Sequence, residues 1–171
     1  MGTDIHVFVE QRNTNGEWEY CGLYDCYRNS VYNFTTNDWE RNLVVEPANI
    51  FNIRNYDLFN LLTGRWDGYE DYSIVPWHGK PEDMSEEVYE MTLDPETGEP
   101  GQYYFNFNYL TITELETVFE TLYLRRKVSK DEKAKYNTFK PFFDIVTNAV
   151  WQSQNHNAGH NDTRIVYWFD N

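Results

Sequence analysis

Two residues near the start of the chain, Asp4 and His6, have the chemistry of an acid–base or metal site. They are two positions apart in a run of β-branched and aromatic residues, so a strand would place both side chains on one face. A carboxylate beside an imidazole can act as a general base or supply two metal ligands. If the last strand runs antiparallel to the first, Asp170 comes near this pair; if it runs parallel, His160 and Asp162 do. The alternative is that this face simply meets water, or that His6 is hydrogen-bonded beneath a loop.

A second pair of histidines lies near the end of the chain. His156 and His160 are four positions apart and are followed by Asp162, a spacing that suits metal ligands on a helix. The zincin signature would need Glu at position 157, where this chain has Asn, and Gly159 favours a polar loop instead. No cofactor is predicted, and a divalent metal remains the alternative. Its candidate ligands are Asp4, His6, His156, His160 and Asp162.

The chain contains no complete nucleophile or nucleotide motif. There is no G-x-S-x-G, no P-loop and no G-x-G-x-x-G. Cys21 and Cys26 lack a plausible His partner and a second metal-binding pair, so both are interpreted as reduced thiols. An enzyme, here a metal-dependent hydrolase, would therefore have to use Asp4, His6 and Asp170.

The third candidate is a binding surface in the acidic, Pro-rich segment 66–104. This segment holds 11 acidic residues against Lys80 alone, so it carries most of the net charge of −14. The pattern predicts an excursion over the surface, with a helical turn beginning near Asp83 or Ser85 and a hairpin closed by residues 94–98. Aromatic and charged residues alternate here in a way that suits a ligand or partner. The expected contact residues are Trp66, Tyr69, Asp71, Tyr72, Trp77, His78, Glu82, Asp83, Glu86 and Glu87.

The elements that would position these residues begin with a β-hairpin. Residues 4–10 form the first strand, with Ile5, Val7 and Val9 on one face. The pair Asn15-Gly16 favours a type I′ turn, which needs positive φ at both central positions, and residues 17–24 form the partner strand. From residue 25 to 55 the pattern is mixed and indicates only short turns and helices.

The second half of the chain predicts helices between two strands. A short amphipathic helix covers 55–64, residues 103–110 form a strand, and Thr111 or Thr113 caps a helix that reaches about residue 124. A basic run follows between 125 and 140, and a further helix covers about 139–152. The last strand is 164–171. The buried side chains expected on the two longer helices are Leu115, Val118, Phe119 and Leu122, and then Phe143, Ile145, Val146, Val150 and Trp151.

Composition and element order together predict one α+β domain over residues 1–171. The chain is 40% hydrophobic and 18% aromatic, which is enough for a core rich in aromatic side chains. We expect a small mixed or antiparallel sheet that contains both terminal strands, with two or three helices packed on one face. The net charge of −14 argues against binding a nucleic-acid backbone, and no apolar run is long enough to span a membrane. A cytoplasmic protein is expected; its oligomeric state is left open.

Four short motifs carry a resemblance to a known family. They are DIHVFVE at 4–10, RNYDLF at 54–59, LTITEL at 110–115 and WFDN at 168–171. In this order they resemble a family of uncharacterised bacteriophage and prophage proteins. The resemblance implies a phage setting, and thus the cytoplasm of an infected bacterium, but supplies no established reaction.

Three functions remain open at this point. The first is a phage accessory protein that binds a host protein or a defence component through the acidic aromatic surface, in part by nucleic-acid mimicry. The second is a protein that sequesters a small nucleotide, using aromatic stacking and cations from Arg54, Arg65 or the 125–140 run. The third is the metal-dependent hydrolase. We rank the two binding functions above the enzyme because no catalytic constellation is complete in the sequence.

Overall fold

The computed structural model describes residues 4–51, 54–63, 74–128, 132–154 and 160–170. A 3₁₀ turn (His160–Asp162) precedes the last strand. None of the helices in these ranges is long and apolar enough to cross a membrane. The mixture of strands and helices confirms the predicted α+β class. In chain order the elements are β1 (Asp4–Arg12), β2 (Trp18–Tyr20), β3 (Tyr24–Asn33), β4 (Asp38–Pro47), α1 (Tyr56–Thr63), α2 (Glu86–Glu90), β5 (Phe105–Thr111), α3 (Ile112–Val128), α4 (Glu132–Gln154) and β6 (Thr163–Asp170).

The main sheet has four strands in the order β2-β1-β6-β5, and every neighbouring pair is antiparallel. This sheet contains both terminal strands, as predicted, and they form its central pair, with Asp4 opposite Asp170 and Gln11 opposite Thr163. The free edge of β1 beyond β2 is covered by Asn49, whose side chain accepts a hydrogen bond from Val7 N and donates one to Ile5 O. The apolar terminal strands are therefore protected from edge-to-edge aggregation.

One face of the sheet packs against α1, α3 and α4, which confirms the prediction of two or three helices on one face. Ile5, Val7 and Val9 point to this side and are buried, as expected from their alternation. Asn55 caps α1, because its side-chain oxygen accepts a hydrogen bond from Leu58 N at 2.9 Å. Thr111 rather than Thr113 caps α3. The apolar side chains of α1 that enter the core are Leu58, Phe59, Leu61 and Leu62.

The prediction for the last helix is partly wrong in both its extent and its face. It begins at residue 132 rather than 139, and α3 likewise reaches residue 128 rather than 124, since Lys, Arg and Ala in the basic run favour helix. Ile145 and Val146 are buried as predicted, but Phe143 is 45% exposed and Trp151 is 52% exposed. Two other residues complete the buried stripe, Phe142 and Ala149.

The second face of the sheet is covered by side chains from residues 84–104, which pack against a second, smaller core. Val88 of α2 is fully buried against Phe8 and Trp168 of the sheet. Ser85 caps α2, which confirms the predicted helical turn, and an isolated bridge between Leu93 and Pro100 confirms the hairpin around 94–98. The acidic segment is thus a packed layer of the molecule as well as a surface.

The interpretation of residues 25–55 is wrong, because most of this region forms a second, two-stranded antiparallel sheet from β3 and β4. Both faces of the ribbon are largely exposed, so its sequence lacks the alternation that marks a half-buried strand. The first hairpin also differs in detail. Gly16 has φ of 85° but Asn15 does not have positive φ, so the turn is not type I′. Its second strand, β2, ends at residue 20 instead of 24.

The stripe of α4 that faces the core gives a direct test of its register. We expect Phe142→Ala to lower the free energy of unfolding by about 3–5 kcal/mol, because it leaves a cavity in the core. Phe143→Ala is the matched control and should cost about 1 kcal/mol or less, because the ring is half exposed. Urea unfolding of both variants at pH 7 measures the difference. Equal losses of stability would contradict the assignment of Phe142 to the side of α4 that faces the core.

Candidate functional site

A buried ion pair holds the acidic segment on the sheet. Arg164 Nε donates to Glu10 Oε2 at 2.8 Å, and both side chains are buried, with 2% and 0% of their surface exposed. The other carboxylate oxygen of Glu10 accepts a hydrogen bond from Ser85 N at 2.7 Å, at the start of α2. Because the register pairs Glu10 with Arg164 across β1 and β6, the sheet itself brings the two charges together. Because both side chains are buried, each charge would strongly destabilise the fold if the other were removed.

Arg164 also reaches the acidic segment directly. Its Nη1 donates to Asp83 Oδ1 at 2.9 Å, and its Nη2 donates to the backbone carbonyl of Asp83 at 3.1 Å. Trp18 Nε1 donates to the other carboxylate oxygen of Asp83, and the Arg164 guanidinium lies 4.0 Å from the centre of the Trp18 ring. Burial would raise the pKa of Asp83, but the hydrogen bonds from Arg164 and Trp18 outweigh burial and lower it. Asp83, a predicted partner contact, thus has a structural role.

A buried amide fixes the loop that carries Trp77 and His78. Asn108 accepts hydrogen bonds from His78 N and Gly79 N at 2.7 and 3.2 Å, and donates to Pro76 O at 2.9 Å. Its amide also donates to Tyr167 Oη at 2.8 Å, deep in the sheet. The four hydrogen bonds satisfy the Asn108 side chain and set the loop backbone in one position.

The His78 imidazole is held over the start of α3. Its Nε2 lies 2.8 Å from Glu114 Oε1, and its ring stacks on Tyr109 with centroids 4.7 Å apart. The second carboxylate oxygen of Glu114 accepts from Thr111 N and Oγ1, while Glu114 N donates back to Thr111 Oγ1, which completes a capping box. Burial would raise the pKa of Glu114, but the bonds from Thr111 and His78 lower it. His78 is thus oriented rather than free to rotate.

The outer surface of this layer carries the exposed members of the predicted binding set. Trp77 and Tyr89 are exposed, and a shallow open groove runs between Lys80 and Tyr89. The Lys80 ammonium lies 4.8 Å from the Phe107 ring centre, and burial lowers its pKa. We call the exposed outer surface of residues 77–90 the acidic surface. Its exposed acidic residues are Glu82, Asp83, Glu86, Glu87 and Glu90.

The Asp4, His6 and Asp170 group forms at the opposite end of the same strand pair. The antiparallel alternative is the one found, and His6 Nε2 lies 3.1 Å from Asp170 Oδ2. The imidazole stacks on Trp168 with the rings 5.3 Å apart and 12° from parallel. About a quarter of each side chain is exposed, 24% for His6 and 28% for Asp170. Water can therefore reach both side chains, as it must reach a general base.

Asp4 contributes to this group less directly than the sequence indicates. Its carboxylate accepts hydrogen bonds from Arg54 Nε and from Arg54 Nη2, the second at 2.7 Å. Hydrogen bonding to Arg54 lowers the pKa of Asp4, and the same contact raises the pKa of Arg54. Arg54, expected to contact a nucleotide, is thus paired with Asp4. The role of Asp4 as a metal ligand or catalytic acid stays a prediction.

The remaining predicted ligands are not brought together in the part of the chain that the structure describes. Asp162 is exposed at the end of the 3₁₀ turn, and the backbone of His160 begins that turn. His156 lies outside the described residues, as do Arg65 and the predicted contacts Trp66, Tyr69, Asp71 and Tyr72. Within the described ranges, no three His, Cys, Asp or Glu side chains form a group that could hold a metal ion. Cys21 and Cys26 are free thiols, as predicted.

Sequence reasoning missed the residues that fix this site. The sequence analysis placed Glu10 and Arg164 in strands and gave them no further role. An antiparallel pairing of Asp4 with Asp170 nevertheless implies that Glu10 lies opposite Arg164, six positions further along each strand. No local sequence pattern marks Asn108 or Trp18 as important, because their hydrogen bonds join segments far apart in the chain. The exposed ribbon gave a local signal in Asn33, whose side chain accepts a bond from Thr35 N in the turn between β3 and β4.

Comparison of the chain with protein-family models, with curated proteins and with solved structures finds no match in any of the three. The resemblance to phage and prophage proteins therefore stays a prediction, as do the three functions derived from the sequence. The geometry described above is the basis on which to choose among them.

The buried pair predicts a large and specific loss of stability. We expect Arg164→Met to lower the free energy of unfolding by about 3–5 kcal/mol, because Glu10 is left buried without a counter-charge. Adding Glu10→Gln to this variant should recover part of the loss. Lys140→Met, which removes an exposed ion pair with Asp144, is the control and should cost about 1 kcal/mol or less. Urea unfolding measures all three variants; equal costs for Arg164→Met and Lys140→Met would contradict this account.

Asp83 predicts a pH dependence of stability. Its folded pKa lies below the ordinary 3.8, so its charged form stabilises the fold above pH 3.8, and this contribution is lost as the pH falls through the folded pKa. The difference in unfolding free energy between the native chain and Asp83→Asn should therefore be constant from pH 7 to pH 5 and shrink below about pH 4. Urea unfolding across this range measures it. A difference that grows with acid would refute the assignment.

Proposed function

We propose that this chain is a binding protein, whose acidic surface engages a basic groove of a host protein or defence component. The observation that carries the proposal is the anchoring of this surface by the Glu10–Arg164 pair and Asp83. An exposed acidic loop would lose conformational entropy on binding, whereas a surface fixed in advance loses less. The proposal thus depends on order in the segment as well as on its charge.

The composition of the surface supports a protein partner. Exposed aromatic side chains such as Trp77 and Tyr89 are the residue types that contribute most to protein–protein affinity. The surrounding carboxylates would increase the rate of association with a basic partner and exclude acidic ones. A row of carboxylates on a fixed layer also presents negative charge as a nucleic-acid backbone does, which is the basis for proposing mimicry.

The proposed setting rests on the sequence motifs. Their resemblance to phage and prophage proteins is the reason for naming a bacterial host protein or defence component as the partner, and the cytoplasm of an infected bacterium as the location. The chemistry of the surface requires only that the partner be basic and concave. The partner assay therefore begins with a bacterial lysate and not with one chosen protein.

Two glutamates on α2 give the sharpest test. Glu86 and Glu90 are exposed and four positions apart, so they lie on one side of the helix. We expect a column of the native chain to retain a basic protein from bacterial lysate, and the variant Glu86→Gln/Glu90→Gln to bind that protein about tenfold more weakly. Quantitative mass spectrometry of the eluates identifies it, and titration calorimetry measures the affinity.

A control variant separates a local effect from net charge. Glu120→Gln/Asp162→Asn changes the net charge by the same amount at exposed positions on α3 and after α4. This variant should retain the partner with nearly the affinity of the native chain. Equal weakening by both variants would mean that the net charge of the chain, and not the position of the α2 carboxylates, determines the affinity. The proposed function would be contradicted if no protein bound to the native column and was lost from the column of the α2 variant.

A further inference from the structure

Most of the described side chains of the β3–β4 ribbon are exposed. Leu43 and Trp39 are each 65% exposed and Val45 is 57% exposed, although all three lie within a regular strand. A two-stranded ribbon alone is at best marginally stable in water, because neither face is buried. Apolar side chains clustered on such a ribbon therefore indicate a surface that another molecule covers.

The two faces of the ribbon differ in charge. In an antiparallel pair, residues opposite each other share a face, and the faces alternate along each strand. Arg28 lies opposite Leu43, and Arg41 lies two positions from Leu43, so both arginines share the face of the apolar side chains. We call it the arginine face; it also includes Tyr24, Trp39 and Val45. All four acidic residues of the two strands lie on the other face, Asp25, Asp38, Glu40 and Glu46.

The arginine face begins beside the acidic surface. Strand β4 contacts α2, and the Tyr24 ring packs edge-on against Tyr20 at the base of the ribbon. Burial is the main cause of the raised pKa of Tyr24, and the charge of Glu87 on α2 adds to it. The molecule therefore presents one continuous surface, with carboxylates of α2 at one end and arginines with apolar side chains at the other.

We propose that a second copy of this chain covers the arginine face, in a two-fold dimer where the ribbon of each copy lies on α2 of the other. Arg28 and Arg41 of one copy would then face Glu86 and Glu90 of its partner, and the reverse pairs would form by symmetry. A two-fold interface requires a self-complementary surface, and one with an acidic end and a basic end meets that requirement.

Charge complementarity selects a second copy over an unrelated partner. Chains with a net charge of −14 repel one another at most orientations. The proposed orientation brings the arginines of each copy to the carboxylates of the other, and it removes Trp39, Leu43 and Val45 from water. The dimer shares Glu86 and Glu90 with the surface of the proposed function, so dimer and partner would compete, but the dimer itself does not rest on that function.

Sedimentation equilibrium of the full chain tests the dimer. We expect the mass to rise with concentration from 20.6 kDa towards twice that value, with a half-dimer concentration below roughly 100 µM. Raising the salt concentration should weaken the dimer, because the ion pairs at its edge are screened. A native chain that stays monomeric throughout this range would overturn the proposal. That result would leave the lysate assay of the proposed function unaffected, so the two failures are distinguishable.

Charge reversal tests the pairing itself. Arg28→Glu/Arg41→Glu and Glu86→Arg/Glu90→Arg should each weaken the dimer by roughly a hundredfold, since like charges then meet in both halves of the interface. Mixed in equal amounts, the two variants should form a heterodimer, because every reversed residue again meets its opposite charge. A chain with all four substitutions should dimerise alone for the same reason.

The reversal series also controls for unfolding. All positions changed are exposed, and circular dichroism with the thermal midpoint checks that each variant is folded. Recovery of the dimer in the mixture cannot come from unfolded chains. A reversal variant that dimerises as well as the native chain would overturn the pairing, as would two monomeric variants that fail to associate when mixed. A dimer that resists reversal but is lost in Leu43→Ser would be held by apolar contact in a different arrangement, which also refutes the proposed one.

Discussion

The architecture of the second face depends on one buried ion pair between neighbouring central strands. Glu10 and Arg164 are buried at the centre of the sheet, where an isolated charge would be very costly. Their remaining hydrogen-bonding atoms can be satisfied only by groups that pack over the sheet. Ser85 N and the backbone and carboxylate of Asp83 are those groups. The pair therefore specifies which part of the acidic segment docks, and in which orientation.

The contacts of Asp83 and Ser85 with this ion pair explain why a segment so rich in carboxylates packs as a layer on the sheet. Its Val88 is fully buried in the same cluster as Phe8 and Trp168, whose rings stack with their centroids 5.1 Å apart. Met84, Met91 and Tyr104 of the segment pack against the same cluster, so apolar side chains of the segment and aromatic side chains of the sheet form this contact together. Asn108 secures the other end of the layer through the loop at 76–79. Glu82, Glu86, Glu87 and Glu90 are exposed, whereas the Asp83 carboxylate accepts a hydrogen bond from Arg164.

Much of this arrangement could be predicted where local patterns and topology agree. The alternation of Ile5, Val7 and Val9 and the apolar last strand were sufficient to predict that both terminal strands lie in the sheet, but the sequence left their relative direction open. The antiparallel register of the structure sets Glu10 opposite Arg164. The ribbon could not be predicted, because strands with two exposed faces need no alternation. The stripe of α4 was correct at Ile145 and Val146 but wrong at Phe143 and Trp151; at the first of these, Phe142 and Phe143 are adjacent and equally apolar, so the pattern does not distinguish them. Asn108 depends on contacts between distant segments, which no local pattern encodes.

The same strand pair carries two pairs of polar side chains, Glu10 with Arg164 and His6 with Asp170, and the two pairs differ in burial. Glu10 and Arg164 are inaccessible to water and to a partner, so they serve the fold. His6 and Asp170 lie at the opposite end of the strands, and about a quarter of each side chain is exposed. The acidic layer lies over the first pair and leaves the second in contact with solvent. The segment nevertheless reaches the second pair, because the Tyr104 ring lies 5.7 Å from the His6 ring and both rings contact Trp168, so a variant at His6 also changes contacts at this end of the acidic segment.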